Sequence, residues 1–318
     1  MKEQKLLTIG EAHLAFVPID DNQPLEISDQ FTREAGGSPI NVAVAAAKLN
    51  VKTEYLGKLG KDPFGNYIAS LLRTCGVGTS YLSQTPLAPT HVFFRSKVDE
   101  KDGFYPQKLT SNGLLRPDDL NEDWINRGDV IYCSSHLLSQ NPSNGAIEKV
   151  FSLAGKKGAF VAFAPQFNPY DWPNKIVARE TILQSLPYAH LLILSEDEVK
   201  YYSDKTDEHF GIKELFGGKT MCMIILRGDK GITYVTQREK GHIRFTMNAS
   251  TYPTGINDAF IGYLLSDLLK YKEEGHEFSS YFHDVFNLEE RLEEALKYRS
   301  LISKKGGTFA ANAEPLEI

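Results

Sequence analysis

Short apolar runs and longer stretches of helical spacing alternate along most of this chain. Residues 6–10 form the first apolar run, and 53–59, 129–133, 159–163, 191–194 and 221–226 repeat the type. Most of these runs are nearly continuous in apolar residues, which reads as strands covered on both faces. Helical patterns lie at 40–49, 62–75, 144–154, 175–185 and 196–202. The segment 62–75 has the clearest ends, with Asp62 as N-cap, Pro63 at the first helical position and Gly76 past the last. Such alternation predicts an α/β fold: a Rossmann-like, mainly parallel sheet flanked by helices. Two stretches break the rhythm. Residues 12–17 and 91–98 are strand-like but fall outside the repeat, and predict a small separate sheet spanning about 12–18 and 90–108. Residues 232–236 and 242–246 predict a hairpin, 258–272 an apolar helix, and 288–303 a long charged one. No linker, repeat or low-complexity tract interrupts the pattern, so residues 1–318 are expected to form one large α/β domain with a strand-built appendage.

Composition narrows the function classes. The 35 Lys+Arg and 41 Asp+Glu leave a net charge of −6 over 318 residues, which argues against a binder of nucleic-acid backbone. No run of eighteen apolar residues predicts a membrane span. The N-terminal residues show no signal-peptide pattern. Three widely spaced cysteines, Cys75, Cys133 and Cys222, fit neither a disulfide framework nor a zinc site. Cys133 and Cys222 sit in apolar runs and read as buried thiols, and a cytoplasmic location is expected. The eight histidines include no pair at ligand spacing and read as structural or surface residues.

Four segments could carry chemistry. Thr254-Gly255-Ile256-Asn257-Asp258 is a Gly-containing turn running into a helix, and unpaired N–H groups at the positive end of a helix dipole bind phosphate readily. Asp258 there is an ordinary N-cap as well as a candidate base. Gly36-Gly37-Ser38-Pro39-Ile40-Asn41 is a Gly pair before a helix, either a plain turn or a place where backbone approaches a ligand. Arg227-Gly228-Asp229-Lys230-Gly231 follows a buried strand and is a weak G-x-x-G signal. Ser195-Glu196-Asp197-Glu198 could recruit Mg²⁺ or simply begin a helix with favourable charge. No G-x-G-x-x-G follows the first strand, so a nicotinamide-binding Rossmann enzyme is disfavoured.

In this order and at these distances the segments resemble the ribokinase (PfkB) family of carbohydrate kinases, most closely its fructokinase-like branch. Thr8-Ile9-Gly10-Glu11-Ala12, Gly57 to Gly65 and Gly76 to Leu82 extend the resemblance over nearly the whole chain. The resemblance implies a ribokinase-like fold with a β-sheet lid often used for dimerisation, and ATP- and Mg²⁺-dependent transfer of a γ-phosphoryl group to a sugar hydroxyl. It implies Asp258 as catalytic base and Gly255, Ile256 and Asn257 as the anion hole. It implies Gly36, Gly37, Asn41, Gln166 and Asn168 at the sugar, Ser195, Arg227, Gly228 and Gly231 at the nucleotide, and Glu198 at the metal.

The chain also departs from that pattern. Gly255-Ile256-Asn257-Asp258 stands where the family usually has Gly-Ala-Gly-Asp; Asn tolerates positive φ best among non-glycines. Tyr252 replaces an acidic residue. Ala15, Ala164 and Asn168 stand where two carboxylates and a guanidinium are expected, and Gln107 or Lys108 where the lid supplies an Arg. A ligand with apolar surface near Ala15 and Phe16 is favoured over fructose, unless His13, Gln166 or Asn168 restores the hydrogen bonds. Near the C-terminus, Glu294 to Tyr298 and Lys304-Lys305-Gly306-Gly307 match the family at shortened spacing. Two functions follow: a sugar kinase with an altered substrate pocket, or a weak or inactive relative kept for sugar or nucleotide binding or for regulation.

Overall fold

The structure is a computed structural model that describes residues 3–20, 23–96, 103–104, 109–246 and 255–305. The expectations attached to Thr254, Tyr252, Gln107, Lys108, residues 97–98 and Gly306-Gly307 lie outside the described residues.

A nine-stranded sheet forms the centre. Its strands are β1 (Leu6–Ile9), β4 (Thr53–Gly60), β5 (Gly78–Thr85), β8 (Val130–Cys133), β9 (Phe160–Phe163), β10 (Leu191–Ser195), β11 (Cys222–Leu226), β12 (Ile232–Thr236) and β13 (Lys240–Ile243). They lie in the order β13-β12-β11-β10-β9-β8-β1-β4-β5. All pairings from β11 to β5 are parallel, and the β11-β12-β13 hairpin is antiparallel. The second sheet holds β2 (His13–Pro18), β3 (Phe31–Gly36), β6 (His91–Ser96) and β7 (Gly103–Phe104), in the order β3-β2-β6-β7. The two stretches that broke the sequence rhythm are therefore neighbours, with His13 opposite His91 and Ala15 opposite Phe93.

Period-two alternation divides the central strands between two cores. Leu7, Ile131, Val161, Leu192 and Met223 face one way, into a cluster with Ile147 and Phe151 of α3 (Ser143–Lys157), Ile182 of α4 (Lys175–Ser185) and Tyr202 of α5 (Glu196–Ser203). Leu6, Val130, Phe160, Leu191 and Cys222 face the other way. There they meet Val42 of α1 (Ser38–Ala47), Phe260 and Leu264 of α7 (Ile256–Glu273), and Leu288 and Leu292 of α9 (Val285–Lys304). Burial on both faces explains why these strands read as continuous apolar runs. Cys75, Cys133 and Cys222 are buried free thiols.

The predicted elements appear within a few residues of their expected ends. Helix α2 (Pro63–Thr74) has the predicted cap, Asp62 Oδ1 accepting the Gly65 N–H at 2.8 Å, and Gly76 follows it at φ 80°. The sequence does not foretell β3, β5, α6 (Glu208–Leu215) or the short α8 (Phe278–Tyr281). β3 has exposed residues at 32–34, and β5 is a polar edge strand with one fully buried residue, Thr85. Neither needs an apolar run, since at most half of such a strand is covered.

Candidate active site

The carboxyl ends of five parallel strands open onto one cavity of about 1250 Å³. Glu11 follows β1, Ser134 follows β8, Ala164 and Gln166 follow β9, Ser195 ends β10, and Leu226 ends β11. Open parallel sheets place ligands in this position because the connections leave a crevice there. The small sheet forms the opposite wall through His13, His91 and Phe93.

Asp258 is buried at the bottom. It is the third residue of α7, and the N-cap is Gly255, left-handed at φ 85°. The N-cap reading of Asp258 is thus corrected: its carboxylate does not cap its own helix but reaches across to other elements. Oδ1 accepts Ser38 Oγ at 2.6 Å and Gln166 Nε2 at 3.0 Å, while Oδ2 accepts Asn41 Nδ2 at 2.9 Å. Ser38 Oγ has a single proton, given to Asp258, so the 2.6 Å contact with Tyr132 is donated by the phenol. Burial pushes the Asp258 carboxyl above the usual range, and the three donors only partly oppose it.

The turn before α7 differs from the expectation at Asn257. Positive φ is confined to Gly255; Ile256 and Asn257 are already helical. Ile256 is buried and Asn257 exposed, and both line the cavity along with Gly255 and Asp258. The helix itself cannot pair the N–H groups of this first turn.

The Gly pair divides its work. Gly37 has φ 119°, and a Cβ there would come within 2.5 Å of the Glu11 carbonyl oxygen, so only glycine lets α1 start against that backbone. It lines the cavity with Asn41. Gly36 does not reach the cavity wall. It sits opposite His13 in the β2–β3 ladder, and a Cβ would meet His13 Nε2 at 2.6 Å; its bareness makes room for the imidazole.

Other expected residues are already engaged. Gln166, at φ 50°, holds Asp258 and also Ser38 Oγ at 2.9 Å. Asn168 lines the cavity but spends its amide on Asp171 Oδ1 and the Tyr170 N–H. Ser195 and Glu198 form a capping box at the start of α5. Glu198 Oε2 accepts the Ser195 N–H at 2.8 Å and Oε1 accepts the Phe167 N–H at 2.7 Å. No cluster of three or more His, Cys, Asp or Glu among the described residues could hold a metal ion by itself. Gly228 borders the cavity with open space above its Cα. Arg227 and Gly231 stand behind the wall. Arg227 donates from Nη2 to both Glu208 oxygens at 2.7 and 2.8 Å, from Nε to Thr233, and from Nη1 to Glu196. Gly231, at φ 102°, lets β13 approach within 2.0 Å of where a Cβ would stand.

The structure also brings in residues to which the sequence reading gave no role. Glu11 accepts the Ser38 N–H at 3.2 Å and Ser134 Oγ at 2.7 Å, and burial raises its carboxyl above the usual range. His136 Nδ1 lies 2.9 Å from Asp171 Oδ2. Burial pulls the His136 pKa down, but Asp171 outweighs it and the net shift is upward. His91 stacks on His136 with centroids 6.0 Å apart and meets His13 edge-on at 5.7 Å. Burial and the neighbouring His136 lower His91 to about 4. Ala15 is buried beside Val17 and Phe93 and does not line the cavity. Phe16 points to the opposite face, against Phe64 and Phe94. The apolar surface expected at Ala15 and Phe16 is instead supplied by Phe93.

A family model described as pfkB family carbohydrate kinase matches residues 3–298. The chain is 30% identical to fructokinase-2 of Oryza sativa subsp. japonica over 92% of its own length and 85% of that protein's. Among solved structures, fructokinase from Xylella fastidiosa with bound ATP superposes with a TM-score of 0.85 at 23% identity, covering 96% of this chain and 94% of that one. Fructokinase from Vibrio cholerae O395, bound to fructose, ADP and calcium ion, gives 0.84 at 19% identity, covering 97% and 96%. With a match over almost the whole chain and the same layout of sheets and helices, this protein belongs to the pfkB family of carbohydrate kinases, phosphotransferases that use an alcohol group as acceptor.

Proposed function

We propose that the protein transfers the γ-phosphoryl group of ATP to a hydroxyl of a neutral sugar, with Asp258 as general base. The observation that supports this most is the carboxylate itself: buried, ionisable and held on three sides, it lies three residues beyond the left-handed Gly255. Phosphoryl transfer asks for in-line positioning, charge neutralisation and one proton acceptor beside the attacking oxygen. The acceptor oxygen bonds to γ-phosphorus, the bond from phosphorus to the ADP oxygen breaks, and the hydroxyl proton passes to Asp258. The first-turn N–H groups of Gly255, Ile256 and Asn257 would stabilise the phosphate charge at fixed cost in reorganisation. The Ile256 side chain borders the cavity but is almost wholly buried, so it would offer the phosphate little obstruction, and this favours the enzyme over the inactive-relative reading.

The sugar would lie between Gly37, Asn41 and Gln166 below and the small sheet above. The nucleotide would lie over the ends of β10 and β11, by Ser195 and Gly228. Mg²⁺ keeps several waters and takes few protein ligands when it arrives on phosphates, which suits a wall that offers Glu198 but no protein-only cage. When bound it would neutralise phosphate charge. Both Glu198 oxygens already accept N–H groups, so its part is to orient α5 and bind through water. The exposed Phe94 on the outer face of the small sheet suits a homodimer through that sheet.

Fructose is expected to be a poor acceptor, since Ala164 offers it no charged partner, Ala15 is withdrawn from the cavity wall and Asn168 is already bonded. Loss of two charge-assisted hydrogen bonds weakens binding by about 10²–10⁴-fold. An ADP-release assay across neutral sugars tests the proposal. ADP formed with one sugar and lost in Asp258→Asn supports it; ADP formation independent of every sugar overturns it.

A further inference from the structure

His91 stands apart among the buried polar side chains. It is 6% exposed, it lines the cavity, and neither Nδ1 nor Nε2 has a hydrogen-bond partner among the described residues. Its neighbour His136 differs in this respect, held by Asp171 and Gln140. A buried imidazole with two unmet polar atoms is costly, because each has lost water without replacement. Such a group is retained where a ligand completes it.

Geometry says which ligand. His91 belongs to β6, directly opposite His13 on β2, and the two rings with Phe93 make up the cavity wall given by the small sheet. No lysine or arginine on this wall lines the cavity among the described residues. Below it lies the Glu11 carboxyl, bonded to Ser134. An anionic group pressed against His91 would meet the Glu11 carboxyl, the rings of His13 and Phe93, and a His136 already matched by Asp171. A hydroxyl suits it: in the neutral imidazole one nitrogen accepts and the other donates, and a small turn of the ring would bring a nitrogen, closed to solvent here, to the cavity.

We propose that His91 is a specificity-determining residue of the acceptor site, hydrogen-bonding the hydroxyl groups of an uncharged sugar and selecting against anionic sugars. This rests on the sugar-kinase reading above. The low His91 pKa agrees with it, since the ring is neutral at physiological pH and keeps one donor and one acceptor. His13 lies on the same wall, and its pKa is lowered as well, by burial first and by His91 and His136 after it.

The test uses the full chain with a non-hydrolysable ATP analogue present. D-ribose, D-fructose, D-tagatose and D-glucose, their monodeoxy forms, and the anions D-gluconate and D-fructose 6-phosphate are titrated by calorimetry. ADP release with ATP is followed in parallel. The expected result is a neutral sugar as best ligand, with one monodeoxy form binding about tenfold more weakly. In His91→Phe the parent sugar weakens by about the same factor, and the parent and that monodeoxy form become equivalent. His91→Gln, which keeps a donor and an acceptor, restores part of the difference. Loss of discrimination toward one hydroxyl is a readout that a packing role would not give. Binding of the ATP analogue reports whether each variant is folded. Tightest binding of an anion overturns the proposal, as does a His91→Phe protein that still distinguishes parent from monodeoxy sugar, or wild-type protein that binds no neutral sugar. Sugar binding without ADP release overturns the kinase reading, and the calorimetric comparison still decides the role of His91.

Discussion

The cavity has two halves built from different material. The half beneath α7, β10 and β11 is largely backbone: a left-handed glycine, a helix start, a capped turn and a strand exit. The half under the small sheet is largely side chain, with His13, His91, Phe93, His136 and Asp171 converging from four separate stretches of sequence. Backbone groups can bind phosphate whatever the flanking residues are, so that half tolerates Ile256 and Asn257 in an altered turn. Side chains bind by identity, so under the proposed function the other half would set which acceptor fits. Asp258 lies where the halves meet, and its removal gives the largest expected effect. Asp258→Asn should lower kcat by about 10²–10⁴-fold, the usual loss for a positioned general base, with ATP-analogue affinity changed less than about threefold. Equal turnover would remove Asp258 from the chemistry. The pH profile sharpens the point. The base works ionised, and burial raises its pKa, so activity should rise with pH through a limb above the usual carboxylate range.

The backbone half is probed at Gly255. Its φ of 85° is a conformation that costs other L-residues roughly 1–2 kcal/mol. Gly255→Ala should weaken ATP-analogue binding about tenfold while sugar binding measured without nucleotide stays nearly constant. If calorimetry shows the loss on the sugar side instead, the assignment of the two halves is reversed.

The side-chain half is probed at Asp171. His136 is held above the usual 6.5 by this partner against the opposing pull of burial, so its stabilising charge is present at low pH and disappears as pH rises through the raised value. Asp171→Asn removes the partner and leaves burial, so the His136 pKa should fall below 6.5. Histidine Cε1–H titration by NMR reads both values. Acceptor KM should rise about threefold to tenfold, for one weakened hydrogen bond in the wall, and ATP KM should not follow. An unmoved His136 titration would break the coupling.

The same contrast explains what could be read from the sequence. Parallel strands buried on both faces show themselves as apolar runs, and turns at helix starts show themselves as glycines set just before a helical pattern. The central sheet, α2 with Asp62 and Pro63, and the Gly255 turn were therefore legible. β3 and β5 were not, because their exposed polar residues form no run. The histidine cluster was hidden for another reason. His13, His91 and His136 are far apart in sequence, and only the pairing of β2 with β6 sets two of them side by side. That pairing is a fact of topology, not of composition. Arg227 shows the converse: the resemblance implies it at the nucleotide, yet two glutamates from neighbouring helices hold it.

Arg227 offers the smallest effect and the finest distinction. Its guanidinium joins β11's exit to the starts of α5 and α6, through Glu196 and Glu208, and to β12 through Thr233. It thus braces the elements around Gly228 without lining the cavity. The partners are partly solvated, with Glu196 40% and Glu208 29% exposed, so water replaces much of what the guanidinium gives and the network is worth at most about 1 kcal/mol. Arg227→Ala should then weaken ATP-analogue binding only about twofold to fivefold. Arg227→Lys should behave much the same, because one ammonium cannot reach Glu208, Glu196 and Thr233 together as the guanidinium does. High salt should narrow the gap between wild type and Arg227→Ala, as it screens pairs that only the wild type has. A loss beyond about thirtyfold would mean that the guanidinium touches the nucleotide directly. The backbone half would then depend on side-chain identity as much as the acceptor half does.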